Sequence, residues 1–129
     1  MAITLTPTLT ITSTDATGDS LSLSVTDALT IGDNDVRLST IVSPGAYGSS
    51  AGVQIFDTNV GKSYMYVKNV HASTAIYLTA ANNTNTNAAW ISLAAGEFSF
   101  FIWEGVVDLF ALTASGTATA GLEVMIWEA

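Results

Sequence analysis

Residues 63–78, SYMYVKNVHASTAIYL, constrain the fold more than any other part of this chain. On an extended strand Tyr64, Tyr66 and Lys68 share one face and Met65, Val67 and Asn69 the other, because side chains alternate with period two. A polar turn over residues 70–74 follows. Ile76 and Leu78 then alternate with Ala75, Tyr77 and Thr79, so the chain folds back as a second strand. β-branched and aromatic residues suit a pleated surface, and no helical period fits. Phe98, Phe100 and Ile102 alternate with Ser99, Phe101 and Trp103 in the same manner. These two blocks hold most of the large apolar side chains, which dominate core burial. They predict a β-sandwich built around them.

Upstream, Ile3, Leu5, Leu9 and Ile11 hold odd positions between Thr4, Thr6, Thr8, Thr10 and Thr12. Pro7 has no N–H to give a ladder, so residues 1–14 read as an edge strand or an extended arm. Asp15, Gly18 and Asp19 are turn residues. Leu21, Leu23, Val25, Leu29 and Ile31 repeat the odd pattern, with Asp27 its one polar break. A hairpin between the two stretches, or a shared edge, explains the likeness. As an exposed apolar edge, the first stretch is suited to joining a neighbour's sheet.

Residues 32–35, GDND, are turn chemistry with too few oxygen ligands at the wrong spacing for a calcium loop. A strand over residues 36–42 precedes the small polar loop 44–52. Val53, Ile55 and Phe56 begin another strand, ended by a turn at 57–61. Gly61-Lys62-Ser63 mimics the end of a phosphate-binding loop, but Phe56 stands where the first glycine is required, and Ser63 enters a strand rather than a helix. Residues 82–87, NNTNTN, form a polar loop. Its glycosylation sequon carries no weight without a secretory signal. Trp90, Ile91 and Leu93 make a strand, and residues 94–97 turn into the strand at 98–103. Residues 107–112 are apolar on both faces. In the last strand Leu122, Val124 and Ile126 oppose Glu123, Met125 and Trp127. Roughly nine short strands separated by turns predict an all-β, antiparallel β-sandwich or jelly roll, with residues 1–129 as one domain.

Composition narrows what such a sandwich can be. Hydrophobic residues make up 49% and charged residues 11%, with mean hydropathy +0.44, against about a quarter charged in ordinary domains. Such a chain belongs in a membrane or under neighbours. Residues 88–112 are apolar, but Glu97, Glu104 and Asp108 interrupt them, whereas a spanning helix needs about 20 apolar residues. No basic segment precedes an apolar block at the start, so no signal peptide is expected. Eleven acids against three bases leave a net charge of −8. Such a chain repels phosphate backbones, so nucleic acid is not an expected partner. The absence of cysteine removes disulfides and thiolate zinc sites. A covered homo-oligomer, away from membranes, is the expectation.

Chemistry is sparse. His71 is the single histidine and sits in a turn; no nucleophile-elbow motif surrounds any serine, so it reads as a solvated turn residue rather than a triad base. Glu97, Glu104 and Asp108 have the residue type of a glycosidase pair, but each lies by a glycine or at a strand end, where an acid is the solvated exit from a sheet. No nucleophile, base and orienter assemble, so neither catalysis nor a metal or cofactor is expected. Trp90, Trp103 and Trp127 fit either a sugar-stacking platform or a core or interface. Ile3, Leu5, Pro7, Leu9, Ile11, Tyr47, Trp90 and Trp127 are the candidate interface residues.

Tyr64-Met65-Tyr66-Val67-Lys68-Asn69, then Ile76-Tyr77-Leu78, then residues 93–101, LAAGEFSFF, resemble small structural proteins of tailed-bacteriophage virions. In those a YxYVKN strand and an LxxGEFxFF turn and strand recur, and residues 21–38 are similar too. The resemblance spans most of the chain from about residue 20. It implies a β-sandwich subunit of the particle, a capsid decoration or cement protein on the outer shell. Such proteins often form trimers and clamp neighbouring major capsid protein subunits. It carries no catalytic residues. A tail, neck or fibre component and a glycan-binding module remain the alternatives.

Overall fold

The structure, a computed structural model, describes residues 3–13, 21–31, 36–46, 52–57, 61–80, 89–113 and 121–129. The described elements are strands, and the chain divides into two compact units, residues 1–34 with Ala129, and residues 35–128. In the first unit β1 (Ile3–Leu5) pairs antiparallel with β4 (Leu29–Ile31), and β2 (Thr8–Ser13) with β3 (Leu21–Thr26). Residue 3 faces 31, 9 faces 25 and 13 faces 21, every pair adding to 34, so the two ladders share one register. The break falls at Pro7, which cannot donate but accepts from the Asp27 N–H at 3.2 Å. The two alternating stretches are therefore the arms of one hairpin ribbon. What was expected as an arm over residues 1–14 is double-stranded and reaches residue 31. The shared register puts every odd residue on one face and every Thr and Ser of even number on the other. Thr8 and Thr26 hydroxyls meet across the ladder at 3.1 Å.

The second unit is the expected sandwich. One sheet has the order β11 (Phe98–Trp103), β8 (Ser63–Asn69), β13 (Leu122–Glu128), β5 (Val36–Val42). The other has the order β10 (Ala89–Leu93), β9 (Ile76–Ala80), β12 (Leu109–Thr113), with β6 (Gly45–Ala46) and β7 (Val53–Phe56) both on the far side of β12. Pairing is antiparallel except for β6 with β12. Only β6 to β7 and β9 to β10 stay within a sheet; the other steps in this unit cross between sheets. The chain at residues 63–78 does fold back, but as an arch: β8 pairs with β11 and β13, and β9 lies in the opposite sheet.

The core forms where the inward parities meet. Met65, Val67, Trp103, Leu122, Val124 and Ile126 from one sheet pack with Phe56, Ile76, Leu78, Leu93, Leu109 and Ala111 from the other. Removing each such large side chain from water contributes about 1.5–3 kcal/mol before entropy is counted. β12 is buried along its whole length, as its apolar residues on both faces demand. Trp103 fits because its Nε1 donates to the Val107 carbonyl at 2.9 Å. Gly61 and Gly105 both have positive φ, 82° and 78°. A Cβ on Gly105 would overlap the Gly61 backbone, so the two turns meet only with glycine at 105.

Asn69, at the end of β8 and fully buried, holds two arches together. Its Nδ2 donates to the carbonyls of Thr74 at 2.8 Å and Leu93 at 2.9 Å, and its Oδ1 accepts from the His71 N–H at 2.9 Å. Its backbone N–H donates to Glu97 and its carbonyl accepts from Gly96. The β8–β9 and β10–β11 turns are thus tied to one residue. Asn69→Ala removes three side-chain bonds and leaves buried partners unmet. It is expected to cost about 2–4 kcal/mol, read as a lower denaturant midpoint. Thr79 Oγ1 is buried with no hydrogen-bond partner. Thr79→Val is expected to raise stability by about 1 kcal/mol in the same measurement.

Candidate interaction surface

Of the residues singled out for chemistry, His71 and Glu97 serve turns. His71 Nδ1 accepts from the N–H of Ser73 at 3.2 Å and of Thr74 at 3.0 Å, which makes this nitrogen a fastener of the β8–β9 turn. Glu97 Oε2 accepts from the Ala94 N–H at 2.7 Å and closes the β10–β11 turn. Glu104 lies past the other end of β11, and six strand residues, about 20 Å, keep it from Glu97. No group of three or more His, Asp or Glu suited to a metal ion occurs among the described residues. Ser63 begins β8 and its hydroxyl donates to the Gly61 carbonyl at 3.3 Å, a turn contact rather than a phosphate cradle. The GDND segment, Tyr47 and the NNTNTN loop lie outside the described residues. No helix among those residues is long and apolar enough to cross a membrane.

What the described surface offers instead is apolar area. On the ribbon Leu9 is 50% exposed and Val25 51%, and Ile11 and Leu23 are exposed beside them. Leu9 faces Val25 and Ile11 faces Leu23 across the ladder, so the four form one contiguous patch. Exposure falls toward the other end, where Leu5, Pro7 and Leu29 are half-buried and Ile31 is buried. Ile3 pairs with Ile31 there. The expectation had named Ile3, Leu5, Pro7, Leu9 and Ile11 from one strand. The opposing Leu23 and Val25 complete the surface, and only the pairing shows it.

The outer face of the β11–β8–β13 sheet is a second apolar surface. Phe98, Phe100 and Ile102 are exposed along β11. Tyr66 on β8 and Met125 and Trp127 on β13 are half-buried. Register puts Phe100, Tyr66 and Met125 in one row and Ile102, Tyr64 and Trp127 in the next. The Tyr66 and Phe98 ring centroids are 6.1 Å apart. Phe98, Phe100 and Ile102, expected within the core-building block, face outward, and Phe101 and Trp103 supply the inward parity. Both parities of β11 are apolar, so alternation alone could not choose between them.

The tryptophans do not form a common platform. Trp90, on the edge strand β10, is 66% exposed, and its ring meets Trp103 edge-on at 5.3 Å and 64°. Trp103 is buried, and Trp127 lies on β13. Trp90 and Trp103 wall an open groove of about 400 Å³ between β10 and β11, with Ile91, Phe101, Ile102 and Val106 around it and Glu104 its one charged lining residue. Sugar recognition needs several polar groups placed around the ring, and Glu104 apart this lining is apolar.

Because the outer-face side chains pack on little, Phe98→Ser with Ile102→Thr is expected to move the unfolding free energy by less than about 1 kcal/mol. The same pair is expected to lower binding of a hydrophobic dye clearly. A large loss of stability would mean that these residues are part of the core. Comparison with protein-family models, with characterised proteins and with solved structures finds no match to this chain.

Proposed function

We propose that this protein is a non-enzymatic structural subunit of a bacteriophage virion, a capsid decoration or cement protein. It bridges major capsid protein subunits on the outer surface of the shell and stabilises them by many weak contacts. One observation carries the reading: a two-stranded ribbon whose β2–β3 half is exposed along its length, with Leu9, Ile11, Leu23 and Val25 in one patch. Isolated two-stranded ribbons are marginal in water, and an exposed apolar strand pair with free edges recruits a partner surface. A ribbon of this kind is an anchor awaiting a surface, whether that of a shell subunit or that of a second copy within the assembly.

The remaining features support the same reading. The 11% charge suits a chain covered by neighbours, and net charge −8 suits the outside of a shell, away from packaged DNA. Glu97 and His71 brace turns. The likeness of residues 64–69 and 93–101 to virion proteins names the kind of assembly.

Labelling a tagged copy in intact particles and imaging them tests this. Label distributed over the whole outer shell is the expected result. Label at a single vertex means a tail or neck component, and particles without label overturn the virion reading.

A further inference from the structure

Building on the reading of an assembly subunit, we propose that the apolar face of the β2–β3 ribbon of one copy lies on the outer face of the β11–β8–β13 sheet of a second copy. Each copy gives one ribbon and receives one, in a closed pair or ring.

Charge selects this partner. Copies bearing a net charge of −8 repel one another unless they meet through neutral surface. Residues 3–13 and 21–26 contain no charged residue, and Asp27 lies beyond the end of β3. On the outer sheet face Lys68 and Glu123 sit directly opposite each other in register and offset. The rest of that face is Phe98, Phe100, Ile102, Tyr64, Tyr66, Met125 and Trp127. A basic foreign protein, the partner an acidic chain would ordinarily attract, finds no acid on this ribbon patch.

Shape and area point the same way. Both surfaces are pleated, so their side chains repeat at the same spacing of about 6.6 Å and can interdigitate as aligned sheets do. The β2–β3 half is six residues long and two strands wide, a footprint of about 20 by 10 Å that fits within a face three strands wide. Seated on a foreign partner it buries about 400 Å² counting both sides, the scale of a crystal contact. Exchange in a closed pair doubles that to about 800 Å², which approaches the roughly 1,000 Å² that a specific interface should clear. Closure of the exchange is what makes a small patch sufficient.

The chain has no cysteine, so introduced thiols report contacts without background. Ile11→Cys and Phe100→Cys chains are mixed and oxidised, with Ile11→Cys plus Ala72→Cys, on the exposed β8–β9 turn, as the control pair. The expected result is Ile11–Phe100 cross-linking between chains several-fold above the control. Sedimentation should show a multimer that Ile102→Glu dissociates to monomer with an unchanged circular-dichroism spectrum. Cross-linking no greater than the control overturns the proposal. So does closure within single chains of an Ile11→Cys/Phe100→Cys double variant that does not cross-link between chains. These outcomes separate from the virion reading: a monomer that still labels the whole shell ends the exchange alone, and a cross-linking multimer absent from particles ends the virion reading alone.

Discussion

The sandwich depends on the chain stepping from one sheet to the other at successive turns, and Asn69 secures two of those steps. A crossing strands backbone groups at the sheet margin, where neither ladder reaches them. A buried group left unpaired costs as much as a lost hydrogen bond. One side-chain amide meets Thr74 and Leu93, its oxygen meets His71, and its own backbone meets Gly96 and Glu97. The β8–β9 and β10–β11 arches therefore form one fixed corner. From that corner Met65 and Val67 enter the core that Ile76 and Leu78 enter from the opposite sheet.

Crossing topology also decides what is left outside. β8, β11 and β13 each commit one parity to the core and present the other on the far side of the sheet. In most sandwiches that other parity is polar. Here it includes Phe98, Phe100, Ile102, Tyr66, Met125 and Trp127, with Lys68 and Glu123 the charged pair among them. The ribbon follows the same rule with a different composition: odd residues apolar, even residues Thr or Ser, and every described side chain of residues 8–13 and 22–26 exposed. Two apolar sheet faces on one strongly acidic chain are hard to reconcile with a solitary existence. They suit the proposed role as one component of a shell, held by contacts that exclude charge.

Much of this was legible from residue types. The strands at 63–69, 76–80, 98–103 and 122–128 follow from alternation and β-branched and aromatic content, and the hairpin likeness of residues 3–13 and 21–31 follows from their shared odd parity. Burial of β12 on both faces follows from Leu109, Phe110, Ala111 and Leu112 in succession. The arch at 70–75 was not legible, because a polar connection between two strands reads alike whether they pair or oppose. The wider interaction surface was hidden for a related reason: Leu23 and Val25 become neighbours of Ile11 and Leu9 only through the ladder.

By itself, then, the amino-acid sequence determined that this is a chain of short strands, poor in charge, without thiols, and with a ribbon apolar along one side. Those are properties of residue type and period-two spacing, which are local. Tertiary pairing alone decided which parity of β8, β11 and β13 faces the core, and which strands share a sheet. Where both parities are apolar, either orientation satisfies the local pattern. The choice is made by Asn69 binding two turns at once and by the register that sets Phe101 opposite Met65.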